Sequence, residues 1–395
     1  MTAAQAIQRF TETRFVPLAL RNLLANRRRL VRSSAGIGFA VLLMLVQLGF
    51  ERGFFDASLA TVRQLDADLV IMSANKYAFG SADPFPPGIL DSAAKVAGVA
   101  SVAPLYASWQ EFLWKDPAGD RVYPVQAFAF DPDRRVFLLP EVRAQAARLK
   151  EEDAVIVDRL ARDFLGMASD AAETEINGRP VHFVGRFALG PDFMRDGTVM
   201  MSQATFARHL LGNPPNPAAL PVEFGIVKLA AGADASTVQQ ALRSALPNQV
   251  QVLTKPELVA FERDFQADLS SAGPIFWMGT VVGFVVGMLI SYQIIYTDLS
   301  DQLPQYATLK GMGYETGYLV RVVLEQAALS ALAGYIPAWL LCLVVYRVIG
   351  AVSLLPLHMT WGLTLLSFGL TLGMCLVSAV LAVRRVIAAD PAEVF

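Results

Sequence analysis

The sequence predicts a membrane protein with four transmembrane α-helices and a large mixed α+β extracytoplasmic domain between helices 1 and 2. Two observations lead to this fold class. Hydrophobic residues make up 54% of the 395-residue chain and charged residues only 17%, against roughly 25% charged residues in an ordinary soluble domain. The apolar residues are also concentrated in four blocks separated by more polar segments. A disordered chain is therefore excluded, and an ordinary soluble enzyme is disfavoured.

The charge balance and the cysteines exclude two further classes of protein. The chain carries 33 Lys and Arg against 35 Asp and Glu, a net charge of −2. This leaves no basic excess to neutralise phosphates, so we expect no nucleic-acid partner. Cys342 and Cys375 are the two cysteines, and both lie inside apolar blocks. A secreted domain held together by disulfides is therefore excluded.

The first predicted transmembrane helix covers residues 33–55 and is built on the uncharged run Ser33–Phe50. About 20 apolar residues are needed to cross a hydrocarbon core of ~30 Å. Backbone groups in lipid must hydrogen-bond to one another, so the segment should be helical. Residues 1–32 form an N-terminal segment with loosely amphipathic spacing, which suits a position on the inner leaflet.

Three more apolar blocks predict the remaining spans, and basic residues predict their direction. Lys and Arg cluster before the first span and after the fourth, which places both termini and the loop between spans 2 and 3 in the cytoplasm. The predicted segments after the first span are the domain 56–271, span 272–297, cytoplasmic loop 298–317, span 318–347, outer loop 348–360, span 361–383 and tail 384–395.

Short runs of β-like alternation separated by turn residues predict the mixed α+β domain of residues 56–271. Asn177-Gly178 between two such runs predicts a hairpin turn. Helices are predicted for residues 158–165 and 235–246, the second with Asp234 as its N-cap. The other predicted strands are 68–72, 121–130, 154–157, 181–184, 198–201 and 224–229.

Catalytic residues and metal ligands are not predicted anywhere in the chain. No pair of histidines has metal-ligand spacing, and no Gly-x-Ser-x-Gly motif occurs. His182 alternates with apolar neighbours as a solvated strand residue does. The carboxylates Asp66 and Asp68, like the run Glu151–Asp153, are expected to be solvated rather than to bind an ion. A membrane-bound enzyme would need a polar site that the sequence does not offer.

Small residues recur every four positions in the second span, at Gly279, Gly283, Gly287 and Ser291. They share one helix face and allow close approach of another backbone. The neighbour is either another span of the same chain or a second subunit, and the spacing favours neither. Gln47 in the first span is a polar residue placed to hydrogen-bond across helices.

Arg321 and Glu325 stand one helical turn apart near the inner end of the third span. Charges at this depth are costly unless they are paired, so we expect an ion pair between them. The apolar runs on which the spans are built contain no further acids to form a proton relay. A transporter driven by protons is therefore disfavoured.

The loop 298–317 contains a short amphipathic segment. Pro304 suits the first position of a helix, and Tyr306, Leu309 and either Lys310 or Met312 would share a face. That face either docks another protein or lies on the membrane or on its own chain. No Gly-x-x-x-x-Gly-Lys-Ser/Thr sequence occurs, so ATP would have to bind to another chain.

Five stretches of the sequence carry a family resemblance. They are Leu18–Arg29, Ala35–Phe55, Ala67–Val70, Leu303–Gln326 and Ala389–Phe395. In these stretches, and in its order of one span, a large outer domain and three spans, the chain resembles the permeases of the MacB/FtsX/LolC superfamily, and within it the DevC type.

The resemblance implies a multi-pass protein of the bacterial inner membrane that works as a homodimer and is not itself an enzyme. Two copies of a separate cytoplasmic ABC ATPase would bind ATP and Mg, and this chain would hold no cofactor. The family's coupling helix, which docks on the ATPase, would cover Pro304 to Gly313. The implied docking residues are Pro304, Gln305, Tyr306, Leu309, Lys310 and Met312.

Similarity to the DevC type also implies a tripartite exporter with a periplasmic membrane-fusion adaptor and an outer-membrane channel. ATP-driven motion would pass through the spans to the periplasmic domain and export a lipid-like or amphiphilic cargo. The acid and aliphatic residue common at the start of the coupling motif are replaced here by Gln305 and Tyr306. An FtsX-like signalling protein that regulates periplasmic cell-wall hydrolases is the alternative.

Overall fold

The computed structural model consists of two compact units. It describes residues 27–119, 121–169, 173–192, 194–212, 219–269, 272–302, 316–353 and 356–388. Among the described residues, the helical unit comprises those within 27–51, 275–348 and 357–388, and the sheet unit comprises those within 52–274 and 349–356.

The described residues form ten α-helices and nine β-strands. The helices are α1 (Arg27–Ser58), α2 (Ala60–Arg63), α3 (Gly88–Ala93), α4 (Pro140–Gln145), α5 (Gln203–Leu211), α6 (Ala235–Ala245), α7 (Lys255–Asp264), α8 (Ala272–Asp301), α9 (Thr316–Ser353) and α10 (Trp361–Ala388). The strands are β1 (Leu69–Ser73), β2 (Val99–Lys115), β3 (Val122–Phe130), β4 (Ala154–Asp158), β5 (Glu173–Ile176), β6 (Arg179–Phe187), β7 (Thr198–Ser202), β8 (Phe224–Leu229) and β9 (Val250–Thr254).

Four helices of the described chain are long and apolar enough to cross a membrane. Their apolar segments are Leu30–Ser58, Gly273–Asp301, Val320–Val352 and Trp361–Arg384. Each helix is longer than the span that the sequence predicts, because helical hydrogen bonding continues beyond the apolar stretch into polar residues. With the mixed α/β unit between the first and second of these helices, the predicted fold class is confirmed.

The helical unit is packed around one apolar face of α1. Ile37, Val41, Met44 and Leu48 recur at helical spacing and are buried in one cluster with residues of α9 and α10. Helices α1 and α9 approach each other closely there, since a Cβ at Gly334 would lie 2.7 Å from Ile37 Cγ2. Small residues therefore set the separation of these helices.

The sheet unit is built on a nine-stranded sheet in the order β3-β7-β4-β6-β5-β2-β8-β1-β9. An additional pairing of β3 with β2 closes six strands into a ring, and β8, β1 and β9 extend from the other part of β2. β3–β7 and β4–β6 are parallel and the remaining pairs are antiparallel. The 17-residue strand β2 thus belongs to both parts of the sheet.

The two strands next to the membrane segments lie side by side. β1 follows α1 and α2 in the chain, and β9 precedes α7 and α8. Leu69 at the start of β1 pairs with Thr254 at the end of β9. The chain therefore enters and leaves the sheet at the same end of two neighbouring strands.

The predicted strands and the Asn177-Gly178 hairpin are present, and α6 begins after Asp234 as predicted. The predicted helix 158–165 is wrong. Asp158 ends β4 and accepts hydrogen bonds from the backbone N–H groups of Leu160, Leu189 and Gly190. This carboxylate favours a turn over a helix, and only Asp163–Leu165 form a short 3-10 turn.

Candidate functional site

The predicted coupling residues Pro304, Gln305, Tyr306, Leu309, Lys310 and Met312 lie outside the described residues. The structure describes what flanks them: α8 ends at Asp301 and α9 begins at Thr316. The segment is therefore a short connection between two candidate membrane helices. Its role in docking an ATPase stays a prediction.

Two of the small residues on α8 meet the first membrane helix. A Cβ at Gly279 would lie 2.4 Å from Nε2 of Gln47, and this amide donates a hydrogen bond to the Phe276 carbonyl at 3.3 Å. A Cβ at Gly287 would lie 3.1 Å from Cβ of Ala40. Both glycines therefore provide room for α1 of the same chain.

The same helix face also meets α10. The added Cβ at Gly287 would lie 2.7 Å from Sδ of Met374, and the hydroxyl of buried Ser291 is 3.7 Å from Sγ of Cys375. Gly283 differs, because a Cβ there would meet nothing within 4 Å. Three of the four predicted packing residues thus contact their own chain, and Gly283 leaves an open position on α8.

Arg321 and Glu325 form an ion pair within α9. Nε of Arg321 lies 2.9 Å from Oε1 of Glu325, and their side chains are 78% and 40% exposed. An exposed pair at this spacing contributes only about 0.3–0.5 kcal/mol in water. Its main effect in a membrane helix is to neutralise Glu325.

The two histidines of the sheet unit, His182 and His209, have structural partners. His182 Nε2 lies 3.5 Å from Glu151 Oε2 on the surface. His209 is buried, with Nε2 3.1 Å from Asp153 Oδ1 and Nδ1 3.0 Å from the Ile176 carbonyl. His209 thereby connects α5 to β5 and to the turn before β4. Sequence spacing could not reveal this contact, because the residues are far apart in the chain.

A buried ion pair between Lys76 and Glu223 was also not predicted. The Lys76 ammonium contacts the Glu223 carboxylate and the Ser81 carbonyl, and it lies 4.8 Å from the centre of the Phe224 ring. Burial lowers the pKa of Lys76 and raises that of Glu223, against their mutual attraction. The pair holds the segment after β1 to the start of β8.

Asp66 and Asp68 are bound by basic side chains rather than left to solvent. Arg143 Nη2 lies 2.8 Å from Asp66 Oδ2, and Lys228 Nζ lies 3.3 Å from Asp66 Oδ1 and 2.9 Å from Asp68 Oδ1. Partial burial acts to raise the pKa of Asp68. The Leu229 N–H and the Lys228 ammonium outweigh it, and this pKa is lowered. Asp68 therefore stays ionised, and both carboxylates hold Lys228 in place.

Within the part of the chain that the structure describes, no group of three or more His, Cys, Asp or Glu residues is placed to hold a metal ion.

A protein-family model matches the membrane part of the chain. Residues 274–391 match the family model described as "FtsX-like permease C-terminal". The match includes most of α8 and all of α9 and α10, together with the loop that holds the predicted coupling residues.

Three curated relatives align with nearly the whole chain. They are uncharacterized ABC transporter permeases, one from Mycobacterium bovis and two from strains of Mycobacterium tuberculosis. Each is 20% identical over 378 residues, which is 95% of this chain and 98% of the relative.

Two solved structures are similar to the sheet unit at 12% sequence identity. The periplasmic region of MacB from Actinobacillus actinomycetemcomitans aligns over 51% of this chain and 95% of its own, with a TM-score of 0.35. The extracellular domain of the ABC-type transporter YknZ from Gram-positive bacteria aligns over 48% and 99%, with a TM-score of 0.33. The family model and the curated relatives confirm the superfamily resemblance that the sequence indicates.

Proposed function

We propose that this chain, whose membrane part is an FtsX-like permease domain, is the permease subunit of an ABC-type tripartite exporter. The match of residues 274–391 is the observation that carries the proposal. A separate ATPase supplies the energy, since the sequence has no phosphate-binding loop of the Walker type. ATP and Mg bind to that ATPase, and this chain performs no catalysis.

The loop between α8 and α9 is the proposed contact with the ATPase. It lies inside the matched family region and connects two candidate spans directly. Tyr306, Leu309 and Met312 would present an apolar face for docking. Pro304, Gln305 and Lys310 complete the proposed contact. Two ATPase copies would bind to a homodimer of the permease.

The charge pattern supports a topology with both termini and this loop in the cytoplasm of a bacterium. Arg27–Arg29 precede the first apolar segment, and Arg384 and Arg385 lie at the end of the fourth. Short flanks rich in Lys and Arg remain on the cytoplasmic side of the inner membrane. The sheet unit then faces the periplasm, where an adaptor and an outer-membrane channel of the DevC type would reach it.

The sheet unit is suited to receiving motion from the membrane helices. Its first and last strands, β1 and β9, are neighbours and are continuous in the chain with α1 and α8. A displacement of either helix therefore acts on the sheet at the same edge. We propose that this motion drives export of a lipid-like or amphiphilic cargo.

Charge reversal in the loop tests the ATPase contact. Leu309→Asp with Met312→Asp places two charges on the proposed apolar face, so ATPase co-purification and permease-stimulated ATP hydrolysis should be lost. Thr308→Asp is the matched control, because it adds a charge to the same loop off that face. Unchanged ATPase binding and hydrolysis in the double variant would place the contact elsewhere.

An FtsX-like signalling protein that regulates periplasmic cell-wall hydrolases is the second candidate, because the same family match is compatible with both functions. The two functions predict different consequences of deleting the gene. Export predicts that an amphiphile accumulates in the cell and that an adaptor gene stands beside the ATPase gene. Signalling predicts loss of cell-wall hydrolase activation with no change in exported lipids. Comparing lipid and wall-fragment profiles of the deletion strain decides between them.

A further inference from the structure

A cleft of the sheet unit, which we call the basic cleft, is lined mainly by charged side chains. Its volume is about 530 Å³. The lining residues are Asp66, Ser101, Ala103, Asp133, Arg134, Arg135, Arg143 and Lys228. The family comparisons and the proposed export function assign no role to it.

Five segments that are distant in sequence form this cleft. The start of β2 supplies Ser101, which pairs in register with Lys228 at the end of β8. Asp66 lies just before β1, the arginines 134 and 135 follow β3, and Arg143 is on α4. The folded sheet is therefore required to bring these charges together.

Two of the arginines are held in fixed orientations by backbone carbonyls. Arg134 Nη1 donates to the Val102 carbonyl at 2.6 Å, and Arg143 Nε donates to the Phe137 carbonyl at 3.1 Å. Each guanidinium has five N–H donors in a planar fork, so these bonds leave further donors available. A pre-oriented guanidinium loses less entropy when it binds a phosphate than a free one does.

The carboxylates near the cleft are already engaged. Asp66 and Asp68 bind Arg143 and Lys228, and Asp133 Oδ1 lies 2.6 Å from Lys150 Nζ. The remaining carboxylate, Asp131, lies 3.4 Å from Nε of Arg134. None of the four therefore needs a further cation.

The local charge is positive after this pairing. The cations in and beside the cleft are Arg134, Arg135, Arg143, Lys150, Lys228 and Lys255, and the carboxylates are Asp66, Asp68, Asp131 and Asp133. Six positive charges against four negative charges leave two in excess. Arg135 is exposed and makes no ion pair within the described residues, and Lys255 Nζ donates to the Leu65 carbonyl at 2.7 Å.

The basic cleft lies close in the chain to the end of the first candidate span. Asp66 follows Ser58, where α1 ends, by eight residues, four of which form α2. Fully extended, such a segment reaches at most about 28 Å, and less when helical. Lys255, just after β9, donates its N–H to the Asp68 carbonyl at 3.2 Å. Only a short stretch of chain therefore separates the basic cleft from the end of α1.

We propose that the basic cleft binds the phosphate group of an anionic phospholipid headgroup at the membrane surface. Phosphate matches the planar donors of arginine, and an anionic lipid matches the excess positive charge. This binding goes beyond the proposed export function, because it requires neither the ATPase nor transport. It can therefore be tested on the permease alone.

The test uses the purified full chain in detergent micelles doped with phosphatidylglycerol or, in equal amount, phosphatidylcholine. Native mass spectrometry counts the lipid that each variant retains. Arg135→Gln together with Arg143→Gln should weaken phosphatidylglycerol binding roughly tenfold or more, since each lost charge-assisted contact is a large fraction of such an interaction. Phosphatidylcholine retention should not change.

Arg179→Gln is the matched control, because Arg179 is an exposed arginine at the start of β6 and does not line the cleft. It should retain phosphatidylglycerol as the unmodified chain does. Arg135→Lys should restore part of the binding, because it keeps the charge but not the planar fork. If the double variant does not fold, Arg135→Gln alone tests lipid binding. This single variant should remain folded, since Arg135 makes no ion pair within the described residues.

Two results would overturn the proposal. One is equal phosphatidylglycerol retention by the cleft variants, the control and the unmodified chain. The other is displacement of phosphatidylglycerol from the unmodified chain by millimolar inorganic phosphate, which would make the cleft a site for free phosphate.

Discussion

The ion pair of Lys76 and Glu223 shows how much a single buried charge can matter in this fold. The Lys76 side chain is 0% exposed and that of Glu223 is 7% exposed. Ser73, also near this pair, donates its hydroxyl to Asp83 at 2.5 Å. Removing one partner of a buried pair leaves an uncompensated charge, which costs more than the pair itself contributes.

We therefore expect Lys76→Met to destabilise the chain by about 3–5 kcal/mol at neutral pH. The loss should be smaller at acid pH. Burial raises the pKa of Glu223 even with Lys76 present, so the carboxyl without its partner becomes protonated and neutral as the pH falls. Thermal unfolding of the purified full chain followed by tryptophan fluorescence measures both effects.

The double variant Lys76→Met with Glu223→Gln is the control for this prediction. It removes both charges, so its stability should lie well above that of the single variant. A single variant as stable as the unmodified chain would contradict the assignment of Lys76 as a buried charge.

At the scale of single residues, the sequence predicted local features but not distant contacts. Asn177 and Gly178 have φ values of 53° and 72°, as a tight hairpin turn requires, and both residue types tolerate such angles. Asp234 caps α6 through the Thr237 N–H at 2.8 Å. Lys76 and Glu223 meet only because the sheet brings their segments together, and nothing local in the sequence indicates that contact.

Among the elements, α7 has a well-defined beginning because Thr254 and Glu257 form a capping box. Thr254 Oγ1 accepts the Glu257 N–H at 3.2 Å, and the Glu257 carboxylate accepts the Thr254 N–H at 2.7 Å. The same carboxylate accepts a hydrogen bond from Gln239 of α6 at 2.5 Å. The box therefore joins two helices as well as capping one.

Thr254→Ala should destabilise the sheet unit by about 1 kcal/mol, as loss of a helix cap does. The Glu257 contribution should depend on pH. The Thr254 N–H lowers the pKa of Glu257 below its ordinary value of 4.5. Its contribution is therefore complete above pH 4.5 and is lost as the pH falls through the lowered pKa. Chemical denaturation across this pH range measures it.

Glu257→Gln is the control for the pH effect, because it retains the size of the side chain without its charge. Its stability should change less between neutral and acid pH than that of the unmodified chain. An identical pH profile in both would show that Glu257 does not contribute through its charge.

The glycines of α8 offer a matched pair of substitutions at the scale of one helix. Gly287→Leu should destabilise the helical unit by at least about 1–3 kcal/mol, because even a Cβ would lie 2.7 Å from Met374 Sδ. Gly283→Leu should leave the monomer folded, since a Cβ there meets nothing within 4 Å. Thermal unfolding in detergent compares the two variants.

Gly283→Leu also separates the two interpretations of the small-residue face. If a second permease packs against α8 at this open position, the variant should shift the dimer to monomer in light scattering, with the fold intact. An unchanged dimer would mean that Gly279, Gly287 and Ser291 serve packing within one chain and that subunits meet elsewhere. Equal destabilisation by both leucines would contradict the packing seen at Gly287.

Elements with a strong local pattern were predictable, but the strands β2 and β9 were not predicted. The long strand β2 runs from Val99 to Lys115 but contains Pro104 and an irregularity in its pairing with β3 between Ser108 and Phe112. Both features interrupt the two-residue alternation that marks a strand. β9, which forms one edge of the sheet, is only five residues long and partly exposed. Neither had a clear periodic pattern in sequence.

For the whole molecule, the predicted topology can be tested with the native cysteines in place. Cys342 and Cys375 are each 0% exposed, so a membrane-impermeant maleimide should not label them in the folded chain. Ala147→Cys in the sheet unit and Asp301→Cys at the end of α8 introduce exposed thiols. Ala147→Cys should react in intact spheroplasts, and Asp301→Cys only after permeabilisation. The reverse pattern would invert the proposed topology.

The architecture was predictable at this scale because the length of an apolar helix is set by the thickness of the bilayer. The basic cleft was not, because it depends on pairs such as Asp66 and Lys228 that lie 3.3 Å apart in space and in separate strand segments of the chain. The sequence predicted that Asp66 and Asp68 are solvated, because sequence spacing shows only neighbours along the chain. Charge pairing across a sheet becomes visible only when the strand order is known.

The neighbouring positions of β1 and β9 have a mechanical consequence. Because Leu69 and Thr254 pair at the end where both strands continue toward α1 and α8, a force that separates those helices would load the hydrogen bonds of this pair one after another. Hydrogen bonds that are loaded one at a time break at a lower force than hydrogen bonds that are loaded together in shear. Pulling on thiols placed at the two helix ends should therefore open this corner of the sheet first and leave the closed ring of six strands intact.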